Sequence, residues 1–137
     1  MKHIALSLLL FVTLSANKCK NDAGAGGASL LDTKWVIQSL GGEALTMPEG
    51  REQPWLQLAG DQLKGFGGCN QLMGGYKMDG SKVSFSNIGS TKMYCEGIQP
   101  TESAIMKMLG RVDSYKMDGG VLKLMGGGSE LAALKAQ

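Results

Sequence analysis

Cysteine and histidine supply much of the nucleophilic and metal-binding chemistry of proteins, and this chain of 137 residues has 3 cysteines and 1 histidine. The histidine is His3, which lies in a segment, residues 1–18, with the features of an export signal. Removing that segment would leave no imidazole, which excludes Ser–His and Cys–His nucleophile pairs and most zinc sites. Lys2 and Lys18 would be lost with it, so that 12 basic and 12 acidic side chains remain. A neutral domain lacks the charge needed to bind nucleic acid.

Residues 1–18 are typical of a secretory signal peptide. A short basic start precedes an apolar run at residues 4–12, and small residues follow it. The run is too short to span a bilayer, which takes about 20 apolar residues, and a buried N-terminal helix is the competing interpretation. We expect a signal peptide at residues 1–18, a flexible glycine-rich tether at 19–30 and one domain at 31–137. The expected location is exported, either periplasmic or associated with the outer membrane.

Cys19 stands at the start of the expected tether, where a lipid anchor would be attached. Cleavage before Cys19 and acylation would make the chain a lipoprotein, with about 0.8 kcal/mol of membrane affinity per buried methylene. The odd number of cysteines favours this interpretation. Lys18 argues against it, because lipoprotein signals place a small residue at that position. Cleavage near Ser15 or Ala16, which would leave a free thiol, is the alternative.

Cys69 and Cys95 are 26 residues apart in a chain expected to be exported, where thiols oxidise readily. We predict a disulfide between them. In the chain-entropy model, closing a loop of this length stabilises a fold by about 3 to 4 kcal/mol. A two-thiolate metal site is the alternative, although tetrahedral sites need three or four ligands and no histidine would be available. A redox pair is disfavoured because the cysteines lack the Cys-x-x-Cys spacing.

Methionine supplies a second class of soft sulfur ligand, and the chain has 9 methionines. Thioethers and thiolates suit Cu(I), so Met73, Met93 and the two cysteines Cys69 and Cys95 could form a copper site. Methionine is also a good filler of irregular cores. We therefore keep copper binding as an alternative function, and we assign no metal ligand and no cofactor.

The glycine-rich run at residues 65–70 is a weak candidate for a phosphate-binding loop. It lacks the Gly-Lys-Ser/Thr motif and has no long helix behind it, so a bent strand leading to the disulfide is favoured. We expect Asn70 to hydrogen-bond the local backbone. Glu102 is expected to complement the dipole in the first turn of a helix. No residue is assigned a catalytic role.

From residue 31 onward, short alternating apolar runs are interrupted by glycine, which predicts antiparallel strands. The first strand starts at Trp35, residues 43–54 are predicted to be a loop, and two hairpins are formed by residues 55–66 and 121–134. The pentapeptide Tyr-Lys-Met-Asp-Gly occurs twice, at residues 76–80 and 115–119, and predicts two further hairpins with Asp-Gly as the turn. We interpret the repeat as the same turn sequence arising twice and not as an internal duplication.

One segment has helical rather than strand periodicity. Residues 100–103 are typical of a helix start, and Ile105, Met108, Leu109 and Val112 follow at helical spacing. This pattern predicts an amphipathic helix of about three turns that lays its apolar face on the sheet. The expected fold class is α+β, with mostly antiparallel β-hairpins forming a sandwich or partial barrel and one amphipathic α-helix packed on it.

A set of motifs is spread over the domain: Gly68-Cys69-Asn70, then Gly74 and Tyr76, then Thr91, Met93 and Cys95 in a Thr-x-Met-x-Cys pattern. In combination they resemble the META domain, the family that includes the heat-inducible HslJ-like lipoproteins of bacteria. The resemblance covers roughly residues 31–134 and implies a secreted or lipid-anchored protein connected with heat stress, without an established activity. We therefore expect a non-catalytic, stress-related envelope domain that binds an unidentified envelope partner, with possible membrane anchoring through lipid and no nucleic acid.

Overall fold

The computed structural model describes residues 29–137. The predicted signal peptide, Cys19 and nearly all of the predicted tether lie outside these residues. Leu30 packs against the hydrophobic core, and its carbonyl oxygen accepts a 3.0 Å hydrogen bond from Nε1 of Trp35. The chain is therefore held to the fold from Leu30 onward. Within the described residues, no helix is both long enough and apolar enough to cross a membrane.

The described chain contains nine strands and one helix. In chain order they are β1 (Trp35–Leu40), β2 (Glu43–Ala44), β3 (Trp55–Ala59), β4 (Gln62–Phe66), β5 (Gln71–Asp79), β6 (Lys82–Ser90), α1 (Gln99–Leu109), β7 (Ser114–Asp118), β8 (Val121–Gly126) and β9 (Ser129–Ala136). The predicted strands are present. The segment at residues 43–54 was predicted to be a loop, but it begins with the two-residue strand β2. This strand pairs with the end of β1.

All nine strands belong to one antiparallel sheet in the order β2-β1-β3-β4-β5-β6-β7-β8-β9. β1 also pairs with β9, which closes the sheet into a ring. The predicted sandwich is not confirmed, because the described strands form one sheet instead of two. Strand pairing in the ring is sparsest between β6 and β7, which share the single residue pair Lys82–Ser114.

The repeated pentapeptide forms two hairpin turns, as predicted, but each turn lies one residue later than Asp-Gly. Asp79 is the last residue of β5 and pairs with Lys82, so that Gly80 and the following serine form the turn. In the second copy, the turn is Gly119 and the glycine after it. Gly80 and Gly119 have φ angles of 58° and 56°, a left-handed conformation that glycine adopts without steric cost and that two-residue hairpins require.

The core fills the inside of the ring and is closed by α1. Ile105, Met108, Leu109 and Val112 are all buried, as predicted. Val112 follows the helix, which ends at Leu109. The helix contacts β1 and β6. It is thereby placed so that its first turn lies beside the loop between β4 and β5, where the candidate site is located.

Candidate functional site

Three segments meet at one end of the ring, and most residues of the sequence motifs lie in them. The first is the loop at residues 67–70 between β4 and β5. The second is the segment at residues 91–95 that follows β6, which we call the strap. The third is the first turn of α1. The strap continues the pairing of β5 and β6, because the Thr91 N–H donates to the Gln71 carbonyl oxygen at 3.1 Å.

A disulfide joins the loop to the strap. Cys69 and Cys95 are bonded, with their Cα atoms 5.9 Å apart, which is consistent with the predicted pairing. The bridge lies just beyond the last residue pair of the β5–β6 ladder, Leu72–Ser90. The two strands of this hairpin are therefore fastened covalently at the end opposite their turn.

Asn70 is the central polar residue of the site, and its side chain is 3% exposed. Its amide nitrogen donates to the Met93 carbonyl oxygen at 3.0 Å and to Oε1 of Glu102 at 2.7 Å. Its amide oxygen accepts from Oγ1 of Thr91 and from the Met93 N–H, both at 2.7 Å. All four hydrogen-bonding positions of the amide are thus used. The prediction of local backbone bonds was wrong, since these partners lie more than twenty residues away.

Glu102 is the residue that α1 contributes to this network. Besides the bond from the Asn70 amide, its Oε2 accepts a 2.8 Å hydrogen bond from the Asn70 backbone N–H. Gly67 makes room for the carboxylate, because a Cβ atom at position 67 would lie 2.7 Å from Cγ of Glu102. Glu102 does lie in the first turn of α1, as predicted. Its contact with Asn70 was not predicted, because the two residues are 32 positions apart and no short-range pattern in the sequence relates them.

The strap exposes apolar side chains although its backbone is fixed. Met93 is 58% exposed and Tyr94 is 82% exposed, while both backbone polar groups of Met93 are bonded to Asn70. A cavity of about 280 Å³ lies beside the strap, and its lining includes Ser90, Lys92 and Gln99. The strap therefore presents a large aromatic and a thioether side chain next to a concave surface of mixed polar and apolar character.

The other motif residues have structural positions nearby. Gly68 has a φ of 106°, and a Cβ atom there would lie 2.8 Å from Cε of Met47. A Cβ atom at Gly74 would lie 2.7 Å from Cδ1 of Ile88. Tyr76 is half-buried, and its hydroxyl donates to the Gly60 carbonyl oxygen at 2.6 Å. These residues shape the 67–70 loop, β5 and its neighbours, and they are not among the hydrogen-bond partners of Asn70 and Glu102.

The polar and sulfur groups of the site are largely used within the fold. Both oxygens of Glu102 already accept hydrogen bonds, which leaves the carboxylate committed to the fold. Because Cys69 and Cys95 form a disulfide, they cannot serve as thiolate ligands for copper. Of the four candidate copper ligands, Met73 and Met93 remain. No group of three or more His, Cys, Asp or Glu side chains within residues 29–137 is placed to hold a metal ion.

A family model described as META domain matches residues 28–137 of the chain. No curated protein matches it. Among solved structures, an NMR structure of a protein from Burkholderia xenovorans is similar, with a TM-score of 0.64, 26% sequence identity, and coverage of 79% of this chain and 83% of that one. A second NMR structure has a TM-score of 0.57 at 19% identity, covers 74% of this chain and 86% of the other, and shows the shared fold alone.

Proposed function

The chain belongs to the META domain family, and we propose that it is a non-catalytic, extracytoplasmic domain that binds an envelope partner through the strap. Its role would be in stress tolerance, as the likeness to heat-inducible envelope proteins implies. Lipid attachment at Cys19 remains a prediction about residues outside the described part of the chain. The proposal does not depend on it, because a secreted and an anchored form would present the same strap.

The observation that carries the proposal is the fixed backbone under the exposed side chains of the strap. Solvent-exposed loops usually lose conformational entropy when they bind, which reduces affinity. Here the disulfide and the Asn70 hydrogen bonds have already ordered the strap. An exposed, preorganised tyrosine is typical of a hot spot in a protein interface, where a few residues, among which Trp, Tyr and Arg are enriched, carry most of the binding energy.

The disulfide supports an extracytoplasmic location. Disulfides form and persist in secreted and periplasmic proteins, whereas cytosolic reductants keep thiols reduced. A small domain also has a limited core and gains proportionally more from a covalent link. The predicted signal peptide, from an independent part of the sequence, points to the same compartment.

The test is site-specific photo-crosslinking in cells. A benzophenone amino acid is placed at Tyr94, and the control carries it at Met117, which is 41% exposed and lies on β7, away from the strap. We expect a discrete crosslinked product from position 94 that is absent from position 117. In a chain without the photoreactive amino acid, the double change Met93→Ser with Tyr94→Ser should abolish co-purification of the partner identified in that product, without changing the melting temperature. Equal products from positions 94 and 117, or none from 94, would contradict the proposal.

A further inference from the structure

A second surface lies on the outer face of β3, β4 and β5, beyond the strap. It is a groove of about 510 Å³ lined by residues that include Trp55, Gln62, Lys64, Gln71 and Met73. The register places Lys64 opposite Met73. Leu63 and Leu72 are buried, so their neighbours along each strand point outward. The groove meets the strap at Gln71, whose backbone N–H donates to Oγ1 of Thr91 at 3.2 Å.

The indole of Trp55 is held in place before any ligand arrives. Its Nε1 donates to Oε1 of Glu52 at 3.0 Å, and Nζ of Lys34 donates to the same oxygen at 3.1 Å. The Lys34 ammonium also lies 4.8 Å from the centroid of the indole ring, within the range of a cation–π contact. A fixed aromatic surface loses little conformational entropy on binding, which favours its use as a recognition platform.

Polar side chains that can donate and accept hydrogen bonds line the groove together with the Trp55 indole. The side chains of Gln62 and Gln71 are exposed and line the groove. Each amide offers donors and an acceptor. Among the described residues that line the groove, Lys64 is the one with a charged side chain. The Glu52 carboxylate, which lies beside Trp55, is paired with Lys34 at 3.1 Å, so among these residues the positive charge of Lys64 is the unpaired charge at the groove.

We propose that this groove binds an acidic glycan, a sugar chain that carries carboxylates. A sugar ring has an apolar C–H face that can lie on an indole, and hydroxyls that both donate and accept hydrogen bonds, as the two amides require. A carboxylate on the sugar would pair with Lys64. An apolar helix of a protein partner would instead leave two amides and an ammonium group without partners. The inference concerns a surface other than the strap and is independent of the function proposed for it.

The test uses hyaluronan hexasaccharide as the acidic probe and chitohexaose as the neutral one. Trp35 is 1% exposed, so a change in tryptophan fluorescence on titration reports Trp55. We expect hyaluronan to bind at least about tenfold more tightly than chitohexaose at low salt, and we expect this preference to disappear at about 0.5 M salt, where surface charges are screened. Isothermal titration calorimetry provides a readout that does not depend on fluorescence.

Variants separate this groove from the strap. Lys64→Gln should remove the preference for the acidic probe, and Gln71→Ala should weaken binding of both probes by about three- to tenfold. Tyr94→Ala is the matched control on the strap and should leave both affinities unchanged. Because Trp55→Ala could also affect folding, circular dichroism must show an unchanged melt before its loss of binding is counted. Absence of binding at millimolar hyaluronan, equal affinity for both probes, or a preference that survives Lys64→Gln would overturn the proposal.

Discussion

Asn70 shows how one buried polar side chain can determine the shape of a surface loop. A buried amide is tolerated only when its donors and acceptors are bonded. Asn70 meets this requirement with groups from the strap and from Glu102, so the position of the strap is tied to the position of the helix. The same bonds hold Met93 and Tyr94 at the surface, which is the basis of the binding role we propose.

We predict that Asn70→Ala lowers the free energy of unfolding by about 2 to 4 kcal/mol. The change leaves the Met93 N–H, the Met93 carbonyl and Oε1 of Glu102 without the Asn70 side chain, while Oε2 of Glu102 keeps the backbone N–H of residue 70. Partly buried groups that lose a partner incur their desolvation cost. Urea denaturation followed by circular dichroism measures the difference. Gln71→Ala, at the neighbouring exposed position, should change stability by less than about 0.5 kcal/mol.

Asn70→Asp should have an effect that depends on pH. The aspartate keeps the two acceptor positions but replaces the amide donor, which lies 2.7 Å from Oε1 of Glu102, with a second carboxylate. Two carboxylates at this distance cannot both ionise without repulsion, and protonating one restores a donor. We expect the variant to be much less stable than the wild type at pH 7 and closer to it near pH 4. A constant difference across this range would show that repulsion is not the cause.

At the scale of the elements, α1 packs against the rest of the protein through one buried face. Met108 is buried in that face, whereas Ser103 lies on the exposed side of the same helix. Met108→Asp should destabilise the protein by about 4 kcal/mol or more, because it places an unpaired charge in the core. Ser103→Asp introduces the same side chain in the first turns of the helix, where an acidic residue is tolerated or mildly stabilising. Thermal melts of the two variants give the comparison, and similar losses in both would contradict the packing described for α1.

Asp113 fastens the segment after α1 to the turn between β8 and β9. Its Oδ2 accepts from the Gly127 N–H at 2.8 Å and its Oδ1 from Oγ of Ser114 at 2.7 Å. The hydrogen bonds from Ser114 and Gly127 hold the pKa of Asp113 below its ordinary value of 3.8. A group with a lowered pKa contributes stability above its unfolded pKa and loses that contribution as the pH falls through the folded pKa.

We therefore expect Asp113→Asn to be slightly less stable than the wild type at pH 7. The difference should shrink as the pH drops below about 4, because the wild-type carboxyl group then becomes protonated. Thermal melts at pH 7 and near pH 2.5 measure it. If the gap stayed the same at both pH values, the charge of Asp113 would not be the source of its contribution.

Local patterns predict the elements of this fold but not the contacts between them. The spacing of Ile105, Met108 and Leu109 predicts a buried helix face, because a helix fixes which side chains share a face. The bond between Asn70 and Glu102 spans 32 residues, and no short-range pattern encodes it. Glu102 is ordinary in sequence, since an acidic residue in the first turn of a helix is common. Its second role depends on the ring closing and on Gly67 leaving room for the carboxylate.

At the scale of the whole molecule, β6 has extensive strand pairing on one side and sparse pairing on the other. β6 has an extensive ladder with β5 on one side and a single residue pair with β7 on the other. The helix and the strap connect β6 to β7 along the chain. The disulfide and the Asn70 network lie at the end of β6 opposite the Lys82–Ser114 pair. The main covalent constraint therefore reinforces the β5–β6 hairpin, which already has the more extensive strand pairing.

The final prediction concerns this constraint. Cys69→Ala with Cys95→Ala should lower the free energy of unfolding by about 3 to 4 kcal/mol in the chain-entropy model, because the unfolded chain gains the freedom of an open loop. The experiment uses a Cys19→Ser background, so that a third thiol cannot exchange with the pair, and urea denaturation gives the stability. Reducing the bridge in the otherwise unchanged protein is the control, since it opens the loop without removing sulfur atoms from the buried Cys69 site. Agreement between the two losses would assign the effect to loop closure, and an unchanged denaturation midpoint in both would show that the bridge does not stabilise the fold.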